Sequence, residues 1–235
     1  MKREKKFDRR LAGAIPYLRR GKVLSDVGTD HAHLPIYACA NGICPRAVAS
    51  DINRGPVENA RRNIAAAGLS DKIATLCTPG LDGIEQYAPE DITIFGMGGE
   101  LIASIIDAAP WTRNARIRLV LQPMSHAEIL RAYLLENGYF ILDQTLVKED
   151  KVYQIICAEY DGVVRTEDDM ALWFGNHNIE RMHPLLGELL ENKRRLLQTS
   201  ADGKRMGGKD ASFELDMLAR IDALHARIRD KELEI

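Results

Sequence analysis

The sequence lacks several features that would assign a chain of 235 residues to a familiar class. Its four cysteines include no C-x-x-C pair, which excludes a zinc knuckle and a disulfide framework. No apolar run reaches about 18 residues, so no membrane span is expected, and no apolar signal-peptide core follows the basic amino terminus. We therefore expect a cytoplasmic protein with reduced thiols.

The net charge of -2 does not by itself indicate a nucleic-acid partner, but basic residues are concentrated in two clusters. The amino-terminal cluster comprises Lys2, Arg3, Lys5, Lys6, Arg9, Arg10, Arg19, Arg20 and Lys22. The carboxyl-terminal cluster comprises Lys193, Arg194, Arg195, Lys204, Arg205 and Lys209. Any one of them could be a solvated charge or a helix-terminus partner, yet as clusters they suit contacts with RNA phosphates.

Short β-rich runs alternate with segments of helical periodicity as far as about Asp161. Strands are predicted at 23–27, 47–51, 72–77, 92–95, 118–122, 140–142 and 152–157, and helices at 34–41, 56–67, 101–108 and 126–137. This alternation predicts an α/β fold with a parallel, doubly wound sheet. The last two strands leave no room for a helix between them, so the end of the sheet is expected to be antiparallel.

Beyond Asp161 the strand-like runs stop and two long helices are predicted, at 167–199 and 210–234, joined by a glycine-rich turn at 200–208. Their apolar residues recur at the spacing of a coiled-coil seam, at Met182, Leu186, Leu189 and Leu196 and at Met217, Ile221, Leu224 and Ile228. We predict two domains, 1–161 and 162–235, the second a helical hairpin. Its apolar stripe is expected to pack internally, giving a monomer or weak homodimer.

Ligands of open α/β sheets bind at the carboxyl ends of the strands, and the first such end carries the run Asp26–Pro35. The run is not a G-x-G-x-x-G fingerprint, which weakens a pyrophosphate-binding interpretation. A single Gly28 allows close approach of a ligand without phosphate, and Asp26 could hold its ammonium group. The methionine portion of S-adenosylmethionine is such a ligand. An ordinary β–α turn with an aspartate cap remains the alternative.

The next two strand ends also carry acids. Asp51 lies about 20 residues after the glycine turn, where an acid can accept hydrogen bonds from ribose hydroxyls, although it could equally serve as a helix cap or turn residue. Asp82, within Gly80–Ile84, could accept from an adenine amino group while Ile52 and Ile84 pack on the ring. A tight Asp-Gly turn is the alternative there.

A fourth strand end carries Gly96-Met-Gly-Gly99. Glycines at this position allow a substrate to approach the backbone and expose amides at a helix N-terminus. A generic glycine turn is the alternative. Three glycines within four residues are entropically costly, however, so we expect a steric reason for them.

Together these runs resemble the bacterial tRNA (adenine-N1)-methyltransferases that modify position 22. The motifs that carry the resemblance are Asp26–Pro35, Asp51–Pro56, Asp82–Ile84, Gly96–Gly99 and Leu121–Pro123. It covers the chain to about Tyr160, and the helical tail also fits. The sequence departs from the family at His33, where tyrosine is usual, at Met124, where asparagine is usual, and at Ile84, which replaces leucine.

The resemblance implies a Rossmann-like class I methyltransferase sheet with a C-terminal helical hairpin domain that helps to bind tRNA. The implied S-adenosylmethionine site comprises Asp26, Gly28, Thr29, Asp51, Ile52, Asp82, Gly83 and Gly96, and the implied catalytic residues are Asp30, His31, Gly96 and Met97. Adenine N1 is a neutral nucleophile, so alignment matters more than a strong base. Asp30 is expected to accept a hydrogen bond from the exocyclic amino group of an unstacked base.

Three alternatives remain at this stage. Asp30, His31 and His33 could bind a metal ion, as in a hydrolase, but no second cluster supports this, and no metal is expected. A small-molecule methyltransferase would account for the four loops but not for the basic clusters. A non-catalytic RNA-binding protein with a cofactor fold would account for those clusters but leave the strand-end acids without a role.

Overall fold

The computed structural model describes residues 8–29 and 31–233. The chain forms two compact units, of which the first ends at Thr166 and the second begins at Glu167. This division lies five residues beyond the expected boundary at 161. The backbone explains the difference, because the amides of Asp161 and Gly162 donate to the carbonyl of Gly138, and that of Arg165 donates to the carbonyl of Leu135. Residues 161–166 are thereby tied to the first unit.

A seven-stranded sheet forms the centre of the first unit. Its strands are β1 (Leu24–Val27), β2 (Ala47–Asp51), β3 (Ile73–Cys77), β4 (Asp91–Met97), β5 (Arg118–Pro123), β6 (Tyr139–Lys148) and β7 (Val152–Tyr160). They lie in the order β3-β2-β1-β4-β5-β7-β6, parallel from β3 to β5, with β7 antiparallel to both of its neighbours. The predicted fold class is confirmed, including the antiparallel end of the sheet.

The helices of this unit are α1 (Arg9–Ala14), α2 (His33–Ala40), α3 (Arg54–Ala66), α4 (Gly99–Asp107) and α5 (Ala127–Glu136), with short 3₁₀ turns at Ile15–Tyr17, Glu85–Tyr87 and Pro110–Thr112. Residues of α2 and α3 share one buried cluster with β1 and β2, in which Leu34 and Ile64 pack with Leu24 and Ala49. Since helices cover this part of the sheet, β1 is buried along its whole length, as parallel strands usually are.

The short helix α1 was not predicted from the sequence. It packs closely on the hairpin of β6 and β7, because a Cβ atom at Gly13 would lie 2.5 Å from Ile155 Cδ1 and 2.6 Å from Val147 Cγ2. Any larger residue would force these side chains to shift. The contact brings the first turn of α1 near the same edge of the sheet as the carboxyl ends of β1 and β4, where Asp8 and Arg10 line a cavity described below.

The second unit consists of α6 (Asp169–Phe174), α7 (Asn176–Glu180), α8 (Leu186–Met206) and α9 (Ser212–Leu233). The single helix expected at 167–199 is wrong. Gly175 and Met182 both have positive φ, at 84° and 46°, so the chain cannot continue as one helix through them.

The predicted turn at 200–208 is also wrong at its start. Helix α8 continues through Gly203 to Met206, and the connection occupies 207–211. Leu186 and Leu189 are buried as expected, but Leu196 is 65% exposed, and Leu190 and Leu197 are buried instead. On α9 the predicted seam residues Met217, Ile221 and Leu224 are buried and Ile228 is half-buried.

Candidate active site

The carboxyl ends of β1 and β4 border a cavity of about 540 Å³, a volume typical of small-molecule sites. Two of its walls are the segment Asp26–Thr29 with His31–Leu34, and the pair Phe95 and Gly96. A third wall consists of Asp8, which caps α1, Arg10 and Leu11 of α1, and Glu149 between β6 and β7. Of the predicted site residues, the structure therefore brings together Asp26, Gly28, Thr29, His31 and Gly96.

Asp26 is the buried acid of this cavity, with 7% of its surface exposed. It lies on β1 opposite Thr93 of β4, whose Oγ1 donates a hydrogen bond of 2.8 Å to Asp26 Oδ1. Burial raises the pKa of the Asp26 carboxyl from 3.8 to about 6, against the opposing effect of hydrogen bonds from Thr93 and Thr29. A carboxylate held in such surroundings is poised to bind a cationic group, because the attraction is strong where water is excluded.

The turn after β1 is held by its backbone. The amides of Gly28 and Thr29 donate to the carbonyl of Ser50, at 2.9 and 2.8 Å. Gly28 has a φ of +77°, and a Cβ atom there would overlap the terminal methyl group of Met97. The turn therefore needs glycine on conformational grounds, and it places the first strand end against a predicted catalytic residue, Met97.

His31 and His33 lie side by side at the start of α2, with ring centroids 5.2 Å apart and a 33° angle between the ring planes. Asn63 Nδ2 on α3 donates to the carbonyl of His31, at 3.1 Å. Between Gly28 and α2, Ala32 adopts the left-handed conformation, with a φ of 53°. Asp30, the preferred catalytic carboxylate, lies outside the described residues.

At the fourth strand end, Gly99 has a steric reason to be glycine and Gly96 has a conformational one. Gly96 has a φ of +79°, and a Cβ atom at Gly99 would overlap the carbonyl oxygen of His126 and lie 2.8 Å from its carbonyl carbon. Two backbone hydrogen bonds of 2.8 Å join the same loops, from Met124 N to Met97 O and from Gly99 N to Ser125 O. The β4–α4 and β5–α5 loops consequently form one tightly packed unit.

The second and third strand ends lie outside the lining of this cavity. Asp51 ends β2, and its Oδ1 accepts a 2.7 Å hydrogen bond from the amide of Asn53, so it does act as a turn residue. The neighbouring Ile52 is 65% exposed, and Asp82 and Gly83 are exposed on the following turn. The expectation that Ile84 packs on a ligand ring is wrong, because Ile84 is fully buried in the protein interior.

Sequence reasoning missed the third wall of the cavity. The sequence places Arg10 in a basic cluster and gives no local signal for Asp8 or Glu149. Their position depends on how α1 packs against β6 and β7, which no local motif encodes. Gly13, a glycine inside a short helical segment, was the one available signal of this close approach.

The structure separates the amino-terminal basic cluster into different surroundings. Lys2, Arg3, Lys5 and Lys6 lie outside the described residues. Arg19 bonds through its amide and Nε to the carboxylate of Asp91, the first residue of β4, at 2.6 and 2.7 Å. Lys22 pairs with Glu90 at 2.7 Å. Arg19 and Lys22 thus stabilise the amino edge of the sheet, at the opposite end of the strands from the cavity.

The carboxyl-terminal basic cluster is largely engaged within the second unit. Arg194 pairs with Asp222, Arg195 with Glu191 and Lys204 with Glu214, and Lys193 lies 4.9 Å from the centre of the Trp173 ring. Arg205 and Lys209 are exposed where α8 connects to α9. These last two side chains are therefore better placed for an external partner than the others.

The described residues offer neither a metal cluster nor a membrane span. Within residues 8–29 and 31–233, no group of three His, Cys, Asp or Glu side chains is arranged to hold a metal ion. No helix in that part of the chain is long and apolar enough to cross a membrane.

Comparison with known proteins relates this geometry to a family. Residues 7–156 match the model of a methyltransferase domain. The tRNA (adenine(22)-N(1))-methyltransferase of Bacillus subtilis is 37% identical over 168 residues, which cover 68% of this chain and 71% of the relative. The crystal structure of the B. subtilis m1A22 tRNA methyltransferase TrmK has a TM-score of 0.79 at 27% identity, covering 97% of this chain and 99% of that one.

A second solved structure is that of Streptococcus pneumoniae Sp1610, a proposed tRNA (m1A22) methyltransferase, in complex with S-adenosyl-L-methionine. Its TM-score is 0.83 at 27% identity, and the alignment covers 93% of this chain and 99% of that one. These findings confirm the resemblance that the strand-end motifs indicated. The chain belongs to the tRNA (adenine(22)-N(1))-methyltransferase family.

Proposed function

We propose that this chain transfers a methyl group from S-adenosylmethionine to N1 of adenine 22 in tRNA. The observation that carries the proposal is the cavity at the carboxyl ends of β1 and β4, where the buried carboxyl of Asp26 and the turn at Gly28 adjoin the Gly96–Gly99 loop. Family membership indicates the acceptor, since the B. subtilis relative is named for adenine 22 of tRNA. Because that acceptor is tRNA, the proposed place of action is the cytoplasm.

The residues present fit S-adenosylmethionine. Asp26 offers a desolvated carboxyl group for the ammonium of the methionine portion, and Gly28, without a side chain, allows that portion to approach the backbone. Asp51 uses Oδ1 in its own turn and can offer Oδ2 to ribose hydroxyls. Exposed Ile52 supplies an apolar surface for the adenine ring of the cofactor. Asp82 is assigned to accept a hydrogen bond from the amino group of that ring.

We assign five further residues to cofactor and substrate alignment. Thr29 supports Asp26, and its Oγ1 also accepts the amide of Ala32 at 3.1 Å, which fixes the loop that precedes α2. Gly83, with a φ of +67°, allows the tight turn that carries Asp82. Gly96 and Met97 border the slot for the target base, with His31 at the start of α2.

S-adenosylmethionine supplies an electrophilic methyl group on a sulfonium sulfur, which adenine N1 can attack in line. The residues of the chain then have two tasks, to align the adenine and to stabilise the positive charge that develops on its ring. Asp30 is assigned to accept a hydrogen bond from the exocyclic amino group. Comparison of the turnover of Asp30→Asn with that of the wild type tests this assignment, and near-normal turnover would remove it.

The helical unit, with Arg205 and Lys209 at the α8–α9 connection, is proposed to contact tRNA phosphates, as is exposed Arg9. Such contacts release counterions, so tRNA affinity should fall steeply as salt concentration rises. In a double variant Arg205→Ala/Lys209→Ala, we expect a higher KM for tRNA and a shallower salt dependence, with S-adenosylmethionine affinity unchanged.

The direct test is transfer of a labelled methyl group from S-adenosylmethionine to unmodified tRNA transcripts, followed by nucleoside analysis. A transcript with adenine 22 should yield 1-methyladenosine, and a matched transcript with guanine 22 should remain unlabelled. Labelling of both transcripts would contradict the assigned position. If the chain binds S-adenosylmethionine but labels neither transcript, the proposed RNA acceptor is wrong. Methyl transfer to small-molecule acceptors would then be tested. Failure to bind the cofactor would indicate a non-catalytic RNA-binding protein.

A further inference from the structure

Arg10 supplies a cationic group to the cavity, from a helix outside the recognised cofactor motifs. Its guanidinium is held in one orientation by Asp8, with Nε 3.1 Å from both carboxylate oxygens and Nη2 2.5 Å from Oδ2. Beneath it lies the ring of Tyr153, whose centre is 5.2 Å from the guanidinium carbon. Charge-assisted bonds and ring contact together fix this side chain before any ligand arrives.

The contacts with Asp8 leave part of the guanidinium available. The Arg10 side chain has five N–H donors, and its contacts with Asp8 use Nε and Nη2. Nη1 makes no hydrogen bond within residues 8–29 and 31–233. Since 30% of the side chain is exposed, the remaining donors can reach a ligand in the cavity.

Asp26 and Arg10 line the same cavity, and their side chains carry charges of opposite sign when Asp26 is ionised. A ligand portion with both an ammonium and a carboxylate, as in a free amino acid, would match this pair. The other acids of the cavity wall do not remove the match. Asp8 is already bound to Arg10, and Glu149 is exposed, so water screens its charge.

We propose that Arg10 binds the α-carboxylate of the methionine portion of S-adenosylmethionine, while Asp26 binds its ammonium group. This inference rests on the proposed function for the identity of the ligand. It makes α1 a part of the cofactor site, so cofactor affinity depends on the packing of Gly13 against β6 and β7. A contact between Arg10 and a tRNA phosphate is the competing assignment.

The test compares two ligands by isothermal titration calorimetry without tRNA, S-adenosylmethionine and decarboxylated S-adenosylmethionine. Both carry the sulfonium and the amine, but only the first has the carboxylate. The wild type should prefer S-adenosylmethionine by about ten- to a hundredfold in Kd, the range for hydrogen bonds to charged groups. Arg10→Ala should lose most of this preference by weakening the binding of S-adenosylmethionine alone.

Lys151→Ala is the matched control, because Lys151 also lies 5.2 Å from the centre of the Tyr153 ring but does not line the cavity. It should keep the full preference. Arg10 also holds Asp8, so circular dichroism and Tm must show that each variant is folded. Arg10→Lys, which keeps a charge there, should show an intermediate preference.

Three results would overturn the inference. A wild type that binds both ligands equally refutes it without any variant, and so does an Arg10→Ala protein that keeps the full preference. If Arg10→Ala changes only the KM for tRNA, the side chain contacts phosphate instead. These results leave the proposed function intact, whereas a wild type that binds neither ligand contradicts the proposed function as well.

Discussion

Replacing Asp26 by asparagine should stabilise the ligand-free protein at alkaline pH and yet weaken cofactor binding. The carboxyl is 7% exposed, and its pKa rises from 3.8 to about 6 on folding, chiefly because burial disfavours the charged form. Asparagine has nearly the same shape, and its Oδ1 can still accept the hydrogen bond from Thr93. The variant therefore removes the buried charge with little change in packing.

The sign and size of the effect follow from the two pKa values. Since the folded-state pKa lies above the unfolded one, protonation of Asp26 favours folding, fully below pH 3.8 and less and less as pH rises through 6. Asparagine does not titrate. The free energy of unfolding of Asp26→Asn, minus that of the wild type, should therefore increase by about 2 kcal/mol between pH 4.5 and pH 8.

Urea unfolding at pH 4.5, 6 and 8 measures this difference directly. Asp71→Asn removes one negative charge from an exposed position and controls for the change in net charge. Calorimetry should also show that Asp26→Asn binds S-adenosylmethionine about ten- to a hundredfold more weakly at pH 7.5. A stability difference that does not grow with pH would refute the argument from burial. Unchanged affinity would refute the ammonium contact.

Two glycines offer further predictions. Gly99→Ala should lower the free energy of unfolding, measured in urea, by about 1–3 kcal/mol, because its Cβ would overlap the backbone of His126. Gly55→Ala is the control and should not destabilise the protein, because no atom lies within 4 Å of the added Cβ. Equal effects of the two substitutions would contradict the packing argument. Gly28→Ala, at a φ of +77° and against Met97, should weaken cofactor binding at least about tenfold by calorimetry, whereas wild-type affinity would show that the turn adapts.

The sequence was sufficient to predict the sheet because each of its strands has a local signal. Runs such as Ala47–Ala49 are apolar and buried, and helical segments alternate with them, so alternation alone indicated a parallel sheet. The short gap before β7 correctly indicated an antiparallel end. These features depend on neighbouring residues, which is why a single sequence could reveal them.

The helical unit was harder to predict, because apolar spacing does not record where a helix ends. Leu196 has the spacing of a seam residue but is exposed, while its neighbour Leu197 is buried, a difference of one position that the pattern could not resolve. The turn was assigned to a glycine-rich run, but Gly203 is tolerated inside α8 at a cost of about 1 kcal/mol. The tertiary packing of α8 outweighs the preference of glycine for a turn.

At the candidate site, the sequence predicts a steric reason for the glycines of the Gly96–Gly99 loop. Gly99 has such a reason, but the sequence could not identify the backbone group that it contacts. Gly99 faces the carbonyl of His126, a residue 27 positions later that adopts a φ of 51°. His126 and Ala32 precede α5 and α2 in left-handed conformations without side-chain capping bonds, so both helix starts at this edge carry backbone strain. Such conformations persist only where surrounding contacts hold them. Substitutions that break backbone contacts here should therefore disturb substrate alignment more than the loss of a neighbouring exposed side chain would.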